Sequence, residues 1–195
     1  LSTVLVNDKL DAALTHSQIA PYPVVIYHNG GWAESSSAGL VDALSDAVTA
    51  GQSLFFMGDD LGNHAYQIEL ATGNKGLFGL AYIEGFWSNV SDESELSVTS
   101  SAHPVMAGGY GTVAPFAYLA DLDTVSTPQT NETVLLKTAI DTPAAFAAED
   151  SVGHRTLSLI ASVYNSHDCP IASSDGLDQL EIFFKNGIAW LQNWQ

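Results

Sequence analysis

Five consecutive uncharged residues, Ser53-Leu54-Phe55-Phe56-Met57, stop abruptly at Gly58-Asp59-Asp60-Leu61-Gly62. A short apolar run rich in aromatics and closed by glycine and aspartate reads as a strand buried on both faces. Such a strand needs neighbours on either side and covering layers above and below, which points to an α/β sheet with helices packed on it. A second β-rich run, Tyr22 to His28, ends in Asn29-Gly30-Gly31. Between the two, Leu40, Val41, Leu44, Ala47 and Val48 form the stripe of an amphipathic helix, with Gly51 placed to end it and Ser35, Ser36 or Ser37 placed to cap its start. Strand, helix and strand within about 35 residues suit a right-handed parallel crossover. In open α/β sheets, ligands bind beyond the C-terminal ends of the strands. The turns after His28 and Met57 are therefore the places to look for a site.

The remaining chain extends this plan. Thr3 to Val6 is a short strand candidate, and Asn7 to Gln18 carries Leu10, Ala13 and Leu14 at helical spacing. His64 to Ala71 suits a further helix, and Gly76 to Ser91 reads as irregular structure with Phe78, Tyr82, Phe86 and Trp87 packed inward. Strands are expected at Glu95 to Thr99, Phe116 to Ala120 and Thr133 to Thr138, with a glycine-rich loop from His103 to Gly111. Ala144 to Ala148 and His154 to Val163 flank a turn and should pair. The last helix is expected to bury Leu177, Leu180, Phe184, Ile188 and Leu191, with Trp190 and Trp194 beside them. The expected whole is one domain over residues 1–195, a three-layer α/β sandwich with a flavodoxin-like, mainly parallel sheet and helices on both faces.

Charge narrows the partners. Five Lys and Arg face 22 Asp and Glu, a net charge of -17, which repels phosphate backbones and anionic lipid alike. Neither nucleic acid nor a membrane surface is expected. The balance suits a bacterial protein from a marine or halotolerant source, where salt screens self-repulsion. The chain starts at Leu1, which fits a processed form or a domain cut from a longer, secreted or periplasmic protein. The single cysteine, Cys169, rules out an internal disulfide.

If the two runs are parallel neighbours, His28, Asn29, Gly30 and Trp32 meet Asp59 and Asp60 at one sheet edge. Carboxylates and an amide can hydrogen-bond sugar hydroxyls while an indole stacks on the ring, so a small polar ligand, a carbohydrate above all, suits the set. No cofactor is required outright. A divalent metal is the alternative, held by carboxylate oxygens or, if His28 and His64 converge, by imidazole as well. Asp59 or Asp60 could equally cap the next helix, or act as acid, base or nucleophile in a sugar or ester hydrolase, with His28 or His64 assisting. His103, before Pro104, is a loop residue or a further lining residue of the same crevice. Arg155, the chain's one arginine, is expected to pair structurally with a carboxylate.

Several motifs occur in a telling order: the strand-helix-strand unit with its Gly58 to Gly62 elbow, His103-Pro104-Val105-Met106-Ala107-Gly108, Gly153-His154-Arg155, and the closing Phe184-Lys185-Asn186-Gly187-Ile188-Ala189-Trp190-Leu191. Together they resemble the class I glutamine amidotransferase-like fold, closest to its ThuA-like and β-galactosidase trimerisation-like branches. The resemblance spans most of the chain and implies a flavodoxin-like domain of the kind linked to carbohydrate metabolism. Amidotransferases place a cysteine in a Gly-x-Cys-x-Gly elbow, where this chain has Asp60. A carboxylate cannot perform the thiolate chemistry that deamidates glutamine. The resemblance thus implies a non-catalytic ligand-binding module, or a structural domain that assembles as a homo-oligomer.

Overall fold

The computed structural model describes residues 14–28, 38–58, 89–90, 95–117, 122–123, 132–149, 153–159 and 174–192. Three helices are defined among them: α1 (His16–Ile19), α2 (Ala38–Thr49) and α3 (Ser174–Leu191). The strands are β1 (Val24–His28), β2 (Ser53–Met57), β3 (Asn89–Val90), β4 (Ser97–Val98), β5 (Ala107–Gly108), β6 (Gly111–Thr112), β7 (Leu122–Asp123), β8 (Glu132–Lys137), β9 (Pro143–Glu149) and β10 (Arg155–Leu159). The main sheet has the order β1-β2-β10-β9-β8-β4, flanked by small β3-β7 and β5-β6 pairs.

β2 behaves as its composition demands, with all five residues buried. It lies between β1 and β10 and runs parallel to both. Beyond β10 the sheet turns antiparallel through β9, β8 and β4, so four of the six strands point one way. The molecule is a three-layer α/β sandwich with a mixed, flavodoxin-like sheet. β9, Pro143-Ala-Ala-Phe-Ala-Ala-Glu149, is a poor strand former by composition. Its place between β8 and β10 supplies what propensity does not, because its five central residues are buried.

α2 packs Leu40, Ala43, Leu44, Ala47 and Val48 into the core. It ends in a paired cap: Gly51 N–H donates to Val48 O at 3.0 Å and Gln52 N–H to Ala47 O at 3.0 Å. Gly51 has φ +80°, the left-handed turn that this closure requires. Gln52 then donates to Ile19 O (3.0 Å) and Tyr22 O (2.6 Å), tying α1 to the start of β2.

α3 covers the Phe55 and Leu157 side of the sheet. Phe55 meets Phe184 at 5.0 Å and Phe183 at 6.4 Å between ring centroids. A Cβ added at Gly187 would lie 2.5 Å from Leu157 Cδ2, so glycine is what lets the helix approach this closely. The buried face differs from the expected one. Phe183, Asn186 and Trp190 are buried beside Leu180 and Leu191, whereas Phe184 and Ile188 are half-buried. The apolar stripe is therefore rotated towards Phe183, and a polar residue stands in it.

Other expectations shift locally. The Glu95–Thr99 strand is short, Ser97–Val98, and Leu96 bridges Phe116, where the expected Phe116–Ala120 strand begins; residues 118–120 of that strand lie outside the described residues. The expected loop from His103 to Gly111 contains the β5-β6 hairpin. β9 and β10 pair antiparallel as their flanking turn suggests. The strand candidate at Thr3–Val6, the helix candidate at His64–Ala71, the aromatic stretch Phe78 to Trp87, Cys169 and Trp194 lie outside the described residues.

Candidate functional site

Register fixes which residues share an edge. β1 and β2 pair in parallel from Val24↔Ser53 to His28↔Met57, and β10 joins with Leu159 opposite Met57. The C-terminal ends of three adjacent parallel strands therefore form one edge, where His28 sits beside the Met57–Gly58 exit of β2. Gly58 has φ +131°, and its N–H donates to Leu159 O at 3.2 Å. A side chain at this position would be strained, so the glycine permits the sharp departure from β2 that an elbow needs. On the far side of the same edge the β8-β9 hairpin continues past Leu159, since Ala145 is the residue opposite Leu159 and β9 begins earlier, at Pro143. Its turn is tied by Thr138 N–H to Thr142 O (2.8 Å) and Lys137 to Asp141 (2.8 Å), and it carries Ile140 67% exposed at the tip.

His28 keeps part of its surface in solvent, yet desolvation holds its pKa below the ordinary 6.5. The imidazole is neutral at pH 7, the form that can accept a hydrogen bond or coordinate a metal. Asn29, Gly30, Trp32, Asp59, Asp60 and His64 lie outside the described residues. Among the described residues no three His, Cys, Asp or Glu side chains gather as a metal site, and no helix is long and apolar enough to cross a membrane.

His103 stands away from this edge, in the first of its two expected roles, a loop residue bonded to backbone, and not beside His28. Its ring meets Trp190 edge-on, 5.0 Å between centroids at 66°. Arg155 stacks on the same indole, its Cζ 5.1 Å from the ring centroid. Arg155 opens β10, one residue before the Thr156↔Leu54 pair near the start of β2, and lies roughly 13 Å along the strand from Leu159 at about 3.3 Å per residue. The reason is directional: α3 follows β10 and returns along it, so its C-terminal Trp190 reaches the N-terminal edge of the strands.

At that opposite edge a fixed cluster forms. Arg155 Nη1 donates to Trp190 O at 2.7 Å and Nη2 to Glu149 Oε1 at 3.3 Å. Nε lies 3.2 Å from Glu149 Oε2, an ion-pair contact without hydrogen-bond alignment. Arg155 thus has the structural pairing expected of it. His103 Nδ1 accepts from Val105 N–H at 3.2 Å, which puts the neutral ring's proton on Nε2. Burial and the nearby Arg155 charge lower its pKa below 6.5, against a smaller opposing pull from Glu149.

Asn186, 2% exposed, secures the loop that His103 begins. Its Nδ2 donates to Val105 O (3.2 Å) and Gly111 O (3.0 Å), and its Oδ1 accepts from Tyr110 N–H (3.1 Å). A Cβ at Gly108 would lie 2.5 Å from Asn186 Oδ1 and from Pro104 O, which explains the glycine of the His-Pro-x-x-x-Gly motif. Sequence reasoning missed the role of Asn186; its signal was an amide inside an otherwise apolar helix stripe. His103, Arg155 and Trp190, each drawn from a different motif, meet in this one structural clamp.

No family model matches the chain, and no curated protein does. Solved structures do resemble it. The cytoplasmic protein STM3548 from Salmonella typhimurium superposes with TM-score 0.60 at 13% identity, covering 88% of this chain and 74% of that one. The mmIFT52 N-terminal domain gives 0.55 at 13%, covering 91% and 80%. A Thermoplasma acidophilum protein described as a GMP synthase subunit gives 0.53 at 12%, covering 91% and 78%. At such identities the likeness concerns the fold alone.

Proposed function

We propose that this chain is a class I glutamine amidotransferase-like domain, of the ThuA-like or trimerisation-like kind, that has lost the cysteine nucleophile and binds a small polar ligand, a carbohydrate as the favoured class. The observation that carries the reading is the parallel register that sets His28 beside Met57 and Gly58. His28 and Met57 end adjacent strands at the edge where α/β sheets bind ligands, and in sequence Asn29 to Trp32 follow the one and Gly58, Asp59 and Asp60 the other. Gly58 at φ +131° supports an elbow at this point. Similarity of fold to the Thermoplasma acidophilum protein is in keeping with an amidotransferase-like ancestry.

In this reading the neutral imidazole of His28 hydrogen-bonds a ligand hydroxyl, the two carboxylates accept from others, and Trp32 stacks on the ring. Thermal unfolding of wild type and Asp60→Ala, each with a panel of sugars, with divalent cations and with chelator, tests it. A ligand at about a hundred times its dissociation constant stabilises the native state by about 2.7 kcal/mol, a rise of roughly 5 to 11 °C for a chain of this size. The reading requires a sugar to raise the wild-type melting point and to lose that effect in Asp60→Ala. A shift with cations alone would replace the carbohydrate by a metal, and glutamine hydrolysis by wild type would overturn the loss of amidotransferase chemistry.

A further inference from the structure

We propose that His103 is a pH-operated pin: neutral, it holds the segment Val105 to Thr112 in place against α3; on taking up a proton it gives up Val105 N–H and loosens the segment's N-terminal end. His103 Nδ1 is the ring's one acceptor, and it is occupied by Val105 N–H at 3.2 Å. An imidazolium donates from both nitrogens, so protonation sets N–H against N–H and ends this bond.

Among the described residues, the groups facing the ring offer the proton no replacement bond. From β10 the guanidinium of Arg155 faces the same indole that His103 meets, and it opposes a second positive charge. From β9 the carboxylate of Glu149 attracts the charge, but it is already paired with Arg155. From α3 the neighbour is the uncharged Trp190 ring. Burial and Arg155 together outweigh Glu149, in keeping with the lowered His103 pKa.

The two ends of the segment depend on His103 to different degrees. His103 O accepts from Met106 N–H (2.8 Å) and Ala107 N–H (2.9 Å), so the turn is built directly on His103. Asn186, which does not titrate, holds the later part through Tyr110 N–H and Gly111 O and the early part through Val105 O alone. Protonation therefore loosens the Val105–Ala107 end, where Val105 and Met106 are fully buried, while the Tyr110 end stays fastened.

The test is backbone amide exchange by NMR, from about pH 8 down to about pH 5, corrected for intrinsic exchange and set against the His103 ring nitrogen shifts over the same window. Loss of one hydrogen bond predicts a fall in protection of roughly two- to tenfold at Val105, Met106 and Ala107, with the midpoint of the His103 titration, and a smaller change at Tyr110. His103→Asn, whose Oδ1 can accept from Val105 N–H and carries no titrating proton, is expected to be flat across the range. Protection that stays constant through the wild-type His103 midpoint, or an equal fall in His103→Asn, overturns the proposal. Should the variant fold poorly, the coincidence or separation of the two wild-type midpoints decides alone.

Discussion

Replacing Asn186 isolates what a single buried amide contributes to this fold. Its three hydrogen bonds go to backbone groups of one loop, Val105 O, Gly111 O and Tyr110 N–H, and the side chain is 2% exposed. Asn186→Ala removes all three partners at once and leaves a small void. At about 1 kcal/mol for each net bond, the loss is about 3 kcal/mol, or a fall of roughly 6 to 12 °C in Tm. Asn186→Asp has nearly the same shape, but it turns a double donor into a carboxylate facing two carbonyl oxygens. That charge is buried, so its pKa should rise above the unfolded value of about 3.9. The sign follows: both states are protonated at low pH, and the folded state is progressively penalised as pH rises through the unfolded pKa towards the folded one. Asn186→Asp should therefore be less stable than Asn186→Ala at pH 7 and recover stability towards pH 4 relative to it. Urea melts at several pH values give both numbers. Loss under about 1 kcal/mol in the alanine variant, or an aspartate variant indifferent to pH, would refute the clamp.

Arg155→Lys keeps the charge but loses the planar stack on Trp190 and the fork to Glu149 and Trp190 O; a loss of about 2 kcal/mol is expected by denaturant melt. Gly51→Ala meets both a left-handed φ of +80° and the His154 ring, and should lower Tm through strain of about 1 to 3 kcal/mol. Gly187→Ala gains about 1 kcal/mol of helix propensity but presses on Leu157 at a cost of about 1 to 3 kcal/mol, so calorimetry should find it neutral to destabilised. His28 and His103 both have pKa values held below 6.5 in the folded state. The stability tied to their neutral forms is present above 6.5 and is lost as pH falls through the lower folded values; Tm should drop over that window, and by less in His103→Asn.

The parts of the fold legible in sequence were those where local pattern and tertiary demand agree. Ser53 to Met57 is apolar because both its faces are covered, and Gly51 ends α2 because a left-handed residue is needed there. The antiparallel half was harder, since β9 is mostly alanine and becomes a strand only through its neighbours. Helical periodicity placed α3 but not its rotation, because Phe183, Phe184, Ile188 and Trp190 are all apolar and the face is selected by contacts distant in sequence, Gly187 on Leu157 and the Asn186 bonds. The candidate site shows the same division. His28 lies beside the end of β2 through a register that the strand-helix-strand spacing anticipated. His103 went to the other edge because its partner, Trp190, stands 87 positions later in the chain, and no spacing rule joins them.

We propose a division of labour: the C-terminal edge of β1 and β2 for binding, and the edge of His103, Arg155 and Trp190 for holding the fold together. The most direct test is an NMR titration of the protein with the sugar, or the cation, that gives the largest thermal shift. The account predicts amide and ring shifts concentrated at His28, Met57 and Gly58, with Val105, Arg155 and the Trp190 indole unmoved. Shifts centred on Trp190 and Arg155, with His28 unchanged, would contradict it.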